Sequence, residues 1–374
     1  MKVALLSDCY PPRLGGIETQ VRDLGRALLA QGHEVHVYTA TPGIDEHRGR
    51  SWEDDEGVHV HRVTMHVPFG VPVNPRAPKL IRGELAEFDI AHVHMGVIAP
   101  FAHDLTKLSL DLGLPTAITW HSVLGQGSLT VLRQLGWARE WAQRGATLTA
   151  VSSMAADRVR AAVGDPGIEV GVLPNGISIP DWSLARGRRP DDAPVQIVTA
   201  LRFALRKRIL PLIRMLREVR RRVPEEIPFT ATVFGNGPYL APARALTTAE
   251  DRTWLNLAGR VARPVLAQTY ADADLYFAPT RLEAFGIAAL EARTAGLPVV
   301  ALRGSGVEDF ITNEENGLLA KDDDALVDAA VRLVTDHHLR HRLREHNLTV
   351  PPAQGWDSVV QQSLAEYRRA GARG

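Results

Sequence analysis

Residues 3–40 read "VALLSDCYPPRLGGIETQVRDLGRALLAQGHEVHVYTA". Val3 to Ser7 form a short apolar run without alternation, the pattern of a strand buried on both faces. A loop, "DCYPPRLGG", follows. Ile17, Val21, Leu24 and Leu28 then recur at helical spacing, with Glu18, Arg22 and Arg26 off that stripe. Gly32 ends the helix, and "HEVHVYTA" reads as a second strand. A strand, a helix and a strand in this order predict a parallel pair joined by a crossover, the unit of an α/β sheet.

The same grammar recurs. "FDIAHVHM" is a strand, followed by a helix near Pro100 to Leu112. "LPTAITWHS" is a strand, then a helix runs from about Leu129 to Arg144. "ATLTAVSS" is a strand, then a helix from Met154 to Val163, and "IEVGVLPNGI" closes the set. The stretch "PDWSLARGRRPDDAP" is rich in Pro, Arg and Asp and reads as a linker. Beyond it, "VQIVTALR", "FTATVFGNGP", "WLNLAGRV", "ADLYFAPT" and "GLPVVALR" begin a second run of strands. Two α/β domains in tandem follow, each with its own parallel sheet. Such sheets bind ligands beyond the carboxyl ends of their strands, so a cleft between the two domains is the expected site.

Bulk composition narrows the classes. The chain has 374 residues, 45% hydrophobic and 23% charged, which suits two soluble globular domains. Lys plus Arg equals Asp plus Glu, 43 each, so charge gives no reason to expect a nucleic-acid partner. Cys9 is the only cysteine, no internal disulfide can form, and a reducing cytoplasm is the expected compartment. The first apolar run is too short for a signal peptide and lacks a cleavage site. No uncharged apolar stretch is long enough to span a membrane. Peripheral attachment stays open.

The candidate chemistry lies in loops after strands. Gly15-Gly16 precedes the first helix, where glycines admit a close ligand and helix-start N–H groups carry partial positive charge. An anion or sugar-oxygen site and a simple tight turn fit this loop equally. Arg202 and Lys207, in "ALRFALRKR", follow the first strand of the second domain and suit a diphosphate. The helix after them carries Arg214, Arg217, Arg220, Arg221 and Arg222 opposite Leu210, Ile213 and Leu216. Those arginines read as a solvated face, with an anionic membrane surface as the second reading. "FGNGP" places Gly235 and Gly237 in a turn where backbone can meet a nucleotide.

The loop "RLEAFG" follows "ADLYFAPT", and a helix is expected from Ile287. This puts Glu283 at a strand end and Glu291 about one turn into the helix. The N–H groups of Phe285, Gly286 and Ile287 sit at its start, fit to hold phosphate beside two carboxylates. Taken alone, each loop has a plain structural reading. All of them fall at carboxyl ends of strands, and this co-location favours a binding site.

On these residues the chain resembles the family 4 retaining glycosyltransferases of the two-Rossmann, GT-B architecture, over essentially all 374 residues. The carriers are Gly15 and Gly16, "VLPNGI" with Pro174, Asn175 and Gly176, Arg202 with Lys207, "GNGP", and Glu283 with Glu291. The resemblance implies two Rossmann-like α/β domains with parallel sheets facing across a cleft. The expected divisions are an acceptor-side domain over 1–180, a linker over 181–194, a nucleotide-sugar domain over 195–355, and a C-terminal helix within 356–374 free to return to the first domain.

The resemblance further implies transfer of a hexose, with retention, from GDP-mannose or a UDP-hexose to a hydroxyl of a lipid or small molecule. No metal or other cofactor is implied. Arg202 and Lys207 would hold the diphosphate, Glu283 the sugar hydroxyls and Glu291 the ribose. The amides of Phe285, Gly286 and Ile287 would touch sugar and phosphate, and Gly235 would lie on the donor side. Gly16 would let the first domain close over the phosphate, with Gly15 on the acceptor side. His121, in "TWHS", would sit near both sugar and acceptor. Three departures stand out: Arg208 where a glycine usually follows the lysine, Thr280 for serine, and "GSGVE" for the Gly-Gly pair before Glu308.

Two acidic runs invite a metal reading, Asp272 to Asp274 and Asp322 to Asp324. The first leads into a strand with Ala273 facing the other way, and the second reads as a solvated turn. His92 and His94 alternate on one strand and read as core histidines. The rivals are a nucleotide-sugar epimerase or phosphorylase of the same architecture, an oxidoreductase, and a non-catalytic sugar-nucleotide sensor. The missing G-x-G-x-x-G argues against the oxidoreductase.

Overall fold

A computed structural model of the chain describes residues 1–67, 71–188, 190 and 192–373, with the side chain of Gln126 also left undescribed. The chain divides into two units, Met1–Gly176 with Gln354–Gly374, and Ile177–Ala353.

The first unit runs β1 (Lys2–Ser7), α1 (Gly16–Ala30), β2 (Glu34–Thr39), β3 (Gly49–Asp55), β4 (Val58–Thr64), α2 (Ala77–Leu85) and β5 (Ile90–Met95). It continues through α3 (Pro100–Asp111), β6 (Thr116–Trp120), α4 (Gln126–Leu135), α5 (Trp137–Gln143), β7 (Thr147–Ala150), α6 (Ser153–Val163) and β8 (Val170–Val172). The sheet order is β3-β4-β2-β1-β5-β6-β7-β8, parallel except for the β3–β4 pair. β1 sits between β2 and β5, so the winding reverses there. The loops after β1 and β5 flank this crevice, the usual ligand position in such sheets.

Three features depart from the sequence reading. The helix expected over 129–144 is two helices, broken at Gly136, whose φ is +68°. Glu18, expected off the buried stripe of α1, is buried, and Arg13 Nε lies 3.5 Å from its carboxylate. The hairpin β3–β4 was not anticipated. It turns on Glu56 and Gly57, with φ of 56° and 91°, the two positive values a type I′ turn needs.

The second unit opens with α7 (Ile179–Trp182) and β9 (Val195–Ala200). Next come α8 (Ile209–Arg222), β10 (Phe229–Phe234), α9 (Leu240–Leu246), β11 (Leu255–Gly259), α10 (Arg263–Asp272) and β12 (Leu275–Ala278). α11 (Ile287–Thr294), β13 (Val299–Leu302), β14 (Gly317–Ala320), α12 (Asp323–Thr335) and α13 (His337–Thr349) complete it. The sheet order is β11-β10-β9-β12-β13-β14. Here the winding reverses between β9 and β12, which places the loops 201–208 and 279–286 side by side.

Residues 181–194, expected as a linker, count with this unit, apart from Arg189 and Asp191, which lie outside the described residues. Trp182 is buried and its ring meets Tyr270, while Arg186 pairs with Asp274 and the Gly187 N–H donates to Asp272. An indole and two carboxylate contacts fix what a Pro- and Arg-rich composition suggested was loose.

The last helix, α14 (Trp356–Arg369), belongs to the first unit. Val360, Leu364 and Tyr367 join the apolar cluster of Val3, Leu5, Val21 and Leu24. Below that cluster Tyr367 Oη lies 2.9 Å from His92 Nδ1.

Candidate active site

In the second unit, the loops after β9 and β12 meet through their side chains. Lys207 Nζ donates to Glu283 Oε2 at 2.6 Å, a contact between residues 76 apart in sequence. Lys207 and Glu283 keep 33% and 20% of their side-chain surface exposed, so the pair is open to a ligand. Arg202 lies on the same loop as Lys207, exposed, with no carboxylate partner among the described residues.

Arg208 adopts the left-handed conformation, φ 62° and ψ 36°. This is the geometry a glycine would take most readily. Its guanidinium compensates by binding both oxygens of Asp323, at 3.0 and 2.5 Å, and the Pro279 carbonyl at 2.7 Å. One side chain thus ties the 201–208 loop to the 279–286 loop.

Gly235 and Gly237 do their work underneath. A Cβ on Gly235 would fall 1.9 Å from the Leu201 carbonyl oxygen, and one on Gly237 would fall 2.5 Å from that of Phe203. Phe203 N–H donates to the Asn236 carbonyl, and Tyr239 N–H to that of Phe203. The "GNG" turn therefore presses against the backbone on either side of Arg202 and sets its position.

The 283–286 loop has a matching support. A Cβ on Gly306 would meet the Ala284 oxygen at 2.2 Å, and Gly306 N–H donates to the Glu283 carbonyl at 2.8 Å. The second glycine of "GSG" thus supplies the close approach. Phe285 is buried against Phe310, and Gly286, with φ +96°, begins α11. The N–H groups of Phe285, Gly286 and Ile287 meet no acceptor among the described residues, as expected for a helix start. Glu291 is buried, with Arg263 Nη2 at 3.5 Å. Tyr276 Oη donates to the Ala200 carbonyl, and burial raises its pKa, with the charges of Glu283 and Glu291 adding to the effect. Cations, orphan amides and two carboxylates therefore gather at the β9–β12 reversal.

The first unit holds the remaining candidates. Gly15 and Gly16 are exposed at the start of α1. The Glu18 carboxylate packs over Gly15, where a Cβ would meet its oxygens at 2.2 and 2.9 Å. A carboxylate of the chain itself already faces this helix start.

His121 is held from both sides: its Nε2 lies 2.9 Å from His94 Nδ1 and its Nδ1 lies 3.1 Å from Asn175 Oδ1. Both ring nitrogens thus bind protein, which leaves ring carbons and backbone for any ligand. Burial lowers the pKa of His121 to about 4 and of His92 to about 3, and holds His94 well below 6.5 with the help of its histidine neighbours. His92 is satisfied by Tyr367 and Thr119, in line with a core role. In "VLPNGI", Gln20 exchanges two 2.9 Å hydrogen bonds with the backbone of Gly176.

Three of the five arginines of α8 have carboxylate partners. Arg217 binds Asp251, Arg221 binds Glu218, and Arg222 reaches Glu218, Asp324 and Asp328. Most of the basic charge on this helix is thereby compensated. No described helix is long and apolar enough to cross a membrane.

Comparison with known proteins gives this arrangement a class. The family profile described as Glycosyltransferase Family 4 matches residues 14–179, and that described as Glycosyl transferases group 1 matches residues 183–348. The chain is 30% identical over 361 residues to the GDP-mannose-dependent alpha-(1-6)-phosphatidylinositol monomannoside mannosyltransferase of Mycolicibacterium smegmatis, covering 89% of each chain. It is 28% identical over 396 residues to the protein of that name from Mycobacterium tuberculosis, covering 98% of each. Among solved structures, sucrose-phosphate synthase from Thermosynechococcus elongatus superposes with a TM-score of 0.76 at 19% identity, covering 99% of each chain. Anabaena HepE in complex with UDP-glucose does so with a TM-score of 0.73 at 18% identity, covering 98% of each.

Two Rossmann-like units, the second with a cationic, amide-lined strand end, define a nucleotide-sugar glycosyltransferase of the GT-B architecture. The chain belongs to the family 4 glycosyltransferases and is a hexosyltransferase.

Proposed function

We propose that the chain transfers a hexose from a nucleoside diphosphate sugar to an acceptor hydroxyl, with retention of configuration. The observation that carries this reading is the Lys207–Glu283 contact at the β9–β12 reversal, beside the unpaired amides of 285–287. Lys207 and Arg202 stabilise the charge that builds on the leaving diphosphate, and the amides of Phe285, Gly286 and Ile287 take phosphate and sugar oxygens. Glu283 binds donor-sugar hydroxyls and holds Lys207 in place before the donor arrives. Glu291, buried beside Arg263, takes the ribose. The bond to the departing phosphate breaks as the sugar gains oxocarbenium character. That phosphate accepts the acceptor's proton on the same face, so no carboxylate nucleophile is needed, unlike the common retaining glycosidase. Gly15, Gly16 and His121 belong to the acceptor-side unit, His121 as a fixed wall.

GDP-mannose is the first donor to try, because relatives at 28% and 30% identity are named as GDP-mannose-dependent; UDP-hexoses come second. Those relatives act on a phosphatidylinositol mannoside, which supports a lipid acceptor met at a membrane surface.

A donor screen tests the reading. Release of GDP or UDP is followed across a panel of nucleotide sugars, with and without chelator, beside thermal shifts. Slow, chelator-insensitive hydrolysis of one stabilising donor is expected. A thermal shift without product, even with acceptors supplied, would make the protein a sensor rather than an enzyme.

A further inference from the structure

Glu291, on α11, differs from Lys207 and Glu283 in being buried, with 8% of its surface exposed. A carboxylate taken out of water needs a counter-charge. Arg263, the first residue of α10, supplies one: its Nη2 lies 3.5 Å from Glu291 Oε1. The arginine itself keeps 42% of its side-chain surface exposed, so it stands at the rim while the carboxylate lies beneath it.

Arg263 is held in turn. Its Cζ lies over the indole of Trp182, 5.7 Å from the ring centre, a distance at which an aromatic face attracts a cation. Trp182 ends α7 and is buried, and its ring meets that of Tyr270 at 5.6 Å. The indole N–H has no acceptor among the described residues, so ring contacts place this tryptophan. Tyr270 meets Tyr276 edge-on at 5.6 Å, and Tyr276 Oη donates to the Ala200 carbonyl at the end of β9. A row of aromatic rings thus ties Arg263 to the strand end from which the 201–208 loop departs.

We propose that Arg263, held against Trp182, is a positioning residue for the donor nucleotide: it fixes the charge and orientation of Glu291 for the ribose hydroxyls. The inference rests on the assignment of the ribose to Glu291 made above. A carboxylate that accepts from two adjacent hydroxyls must stay ionised and turn its oxygens toward them. Without a cation beside it, a buried carboxylate takes up a proton or swings toward water. In either state it accepts less well from a ribose. Lysine at 263 keeps the charge, and glutamine keeps only the bulk.

The test measures, by titration calorimetry on the full chain, the binding of GDP and UDP, each against its 2′,3′-dideoxy form. Wild type should prefer the ribose by roughly tenfold or more, the usual worth of hydrogen bonds to a charged group. Glu291→Gln should lose that preference. Arg263→Gln should bring it below about threefold, and Arg263→Lys should restore most of it. Arg263 is exposed at a helix start, so the glutamine variant leaves the core intact, which chemical denaturation checks. The preference is a ratio within one variant, so a general loosening of the fold cancels from it. A preference lost in Glu291→Gln and kept in Arg263→Gln, with both forms of the nucleotide weakened equally or not at all, would overturn the role of Arg263 and leave the ribose on Glu291. Wild type indifferent to the hydroxyls, wild type binding neither nucleotide, or a preference kept in Glu291→Gln would remove Glu291 from the ribose and the proposal with it.

Discussion

Lowering the pH from about 7.5 to about 5.5 should loosen the first unit and leave the second nearly unchanged. His92, His94 and His121 have pKa values pressed far below 6.5 by burial. The unfolded chain takes up these protons as pH falls through 6.5, and the folded chain refuses them until near 3 to 4. Their stability contribution is therefore complete above 6.5 and is lost as pH drops below it. At pH 5.5 each costs about 1.4 kcal/mol, whatever its folded value, so the three cost about 4 kcal/mol. His61, lowered to about 4 by burial and by His36, adds in the same direction, about another 1.4 kcal/mol.

Asp8 works the other way. Burial lifts its pKa to about 7, against the N–H bonds it accepts from Phe101 and Ala102. The folded chain then holds a proton that the unfolded chain has released, so falling pH stabilises it by about 2 kcal/mol over the same interval. The net loss for the first unit is roughly 3 kcal/mol, a factor of more than a hundred in its opening equilibrium. In the second unit no group with a resolved shift titrates in this window: Asp251 and Glu218 are lowered and Arg344 stays near 10. Hydrogen exchange followed by mass spectrometry on the full chain reads both units at once. After correction for the intrinsic rate, amides of β5 and β6 should open more than a hundredfold more readily at the lower pH, and those of β9 and β12 should hardly change. Equal protection of β5 and β6 at both values would refute the buried-histidine account, as would an equal loss in β9.

Three further outcomes follow from the same geometry. Arg202→Ala and Lys207→Ala should each lower turnover by roughly a hundredfold or more, the usual loss on removing one charge-stabilising donor; near-normal rates in both variants would remove them from the site. Gly235→Ala sets a methyl 1.9 Å from the Leu201 oxygen at φ +134°. It should cost about 2–4 kcal/mol in unfolding and reduce turnover without altering any group placed on the donor; unchanged unfolding and turnover would show that the turn does not position Arg202. Arg208→Ala keeps the left-handed backbone and loses the Asp323 fork, so it should unfold more easily than Arg208→Gly by about 1 kcal/mol; the reverse order in chemical denaturation would mean the conformation is not held where the structure puts it.

The fold was legible because most strands are buried on both faces and so appear as short apolar runs ended by glycine or proline. The exceptions follow the same physics. β3 reads "GRSWEDD" and lies at the sheet edge, almost wholly exposed, so it has no apolar signature. Its only marker was the "EG" pair at the turn. The break at Gly136 was hidden because the residues on both sides continue a helical pattern. The docking of residues 181–188 rests on Trp182, one buried indole inside a segment whose composition otherwise says loop.

The site was legible by position and not by contact. Strand order decides which strand ends adjoin, and one sequence gives that order only after the reversal at β9 is known. Once β12 lies beside β9, Lys207 and Glu283 fall together. What spacing cannot convey is which way a side chain is committed. His121 looked available and has both nitrogens engaged; Glu18 looked solvated and covers Gly15.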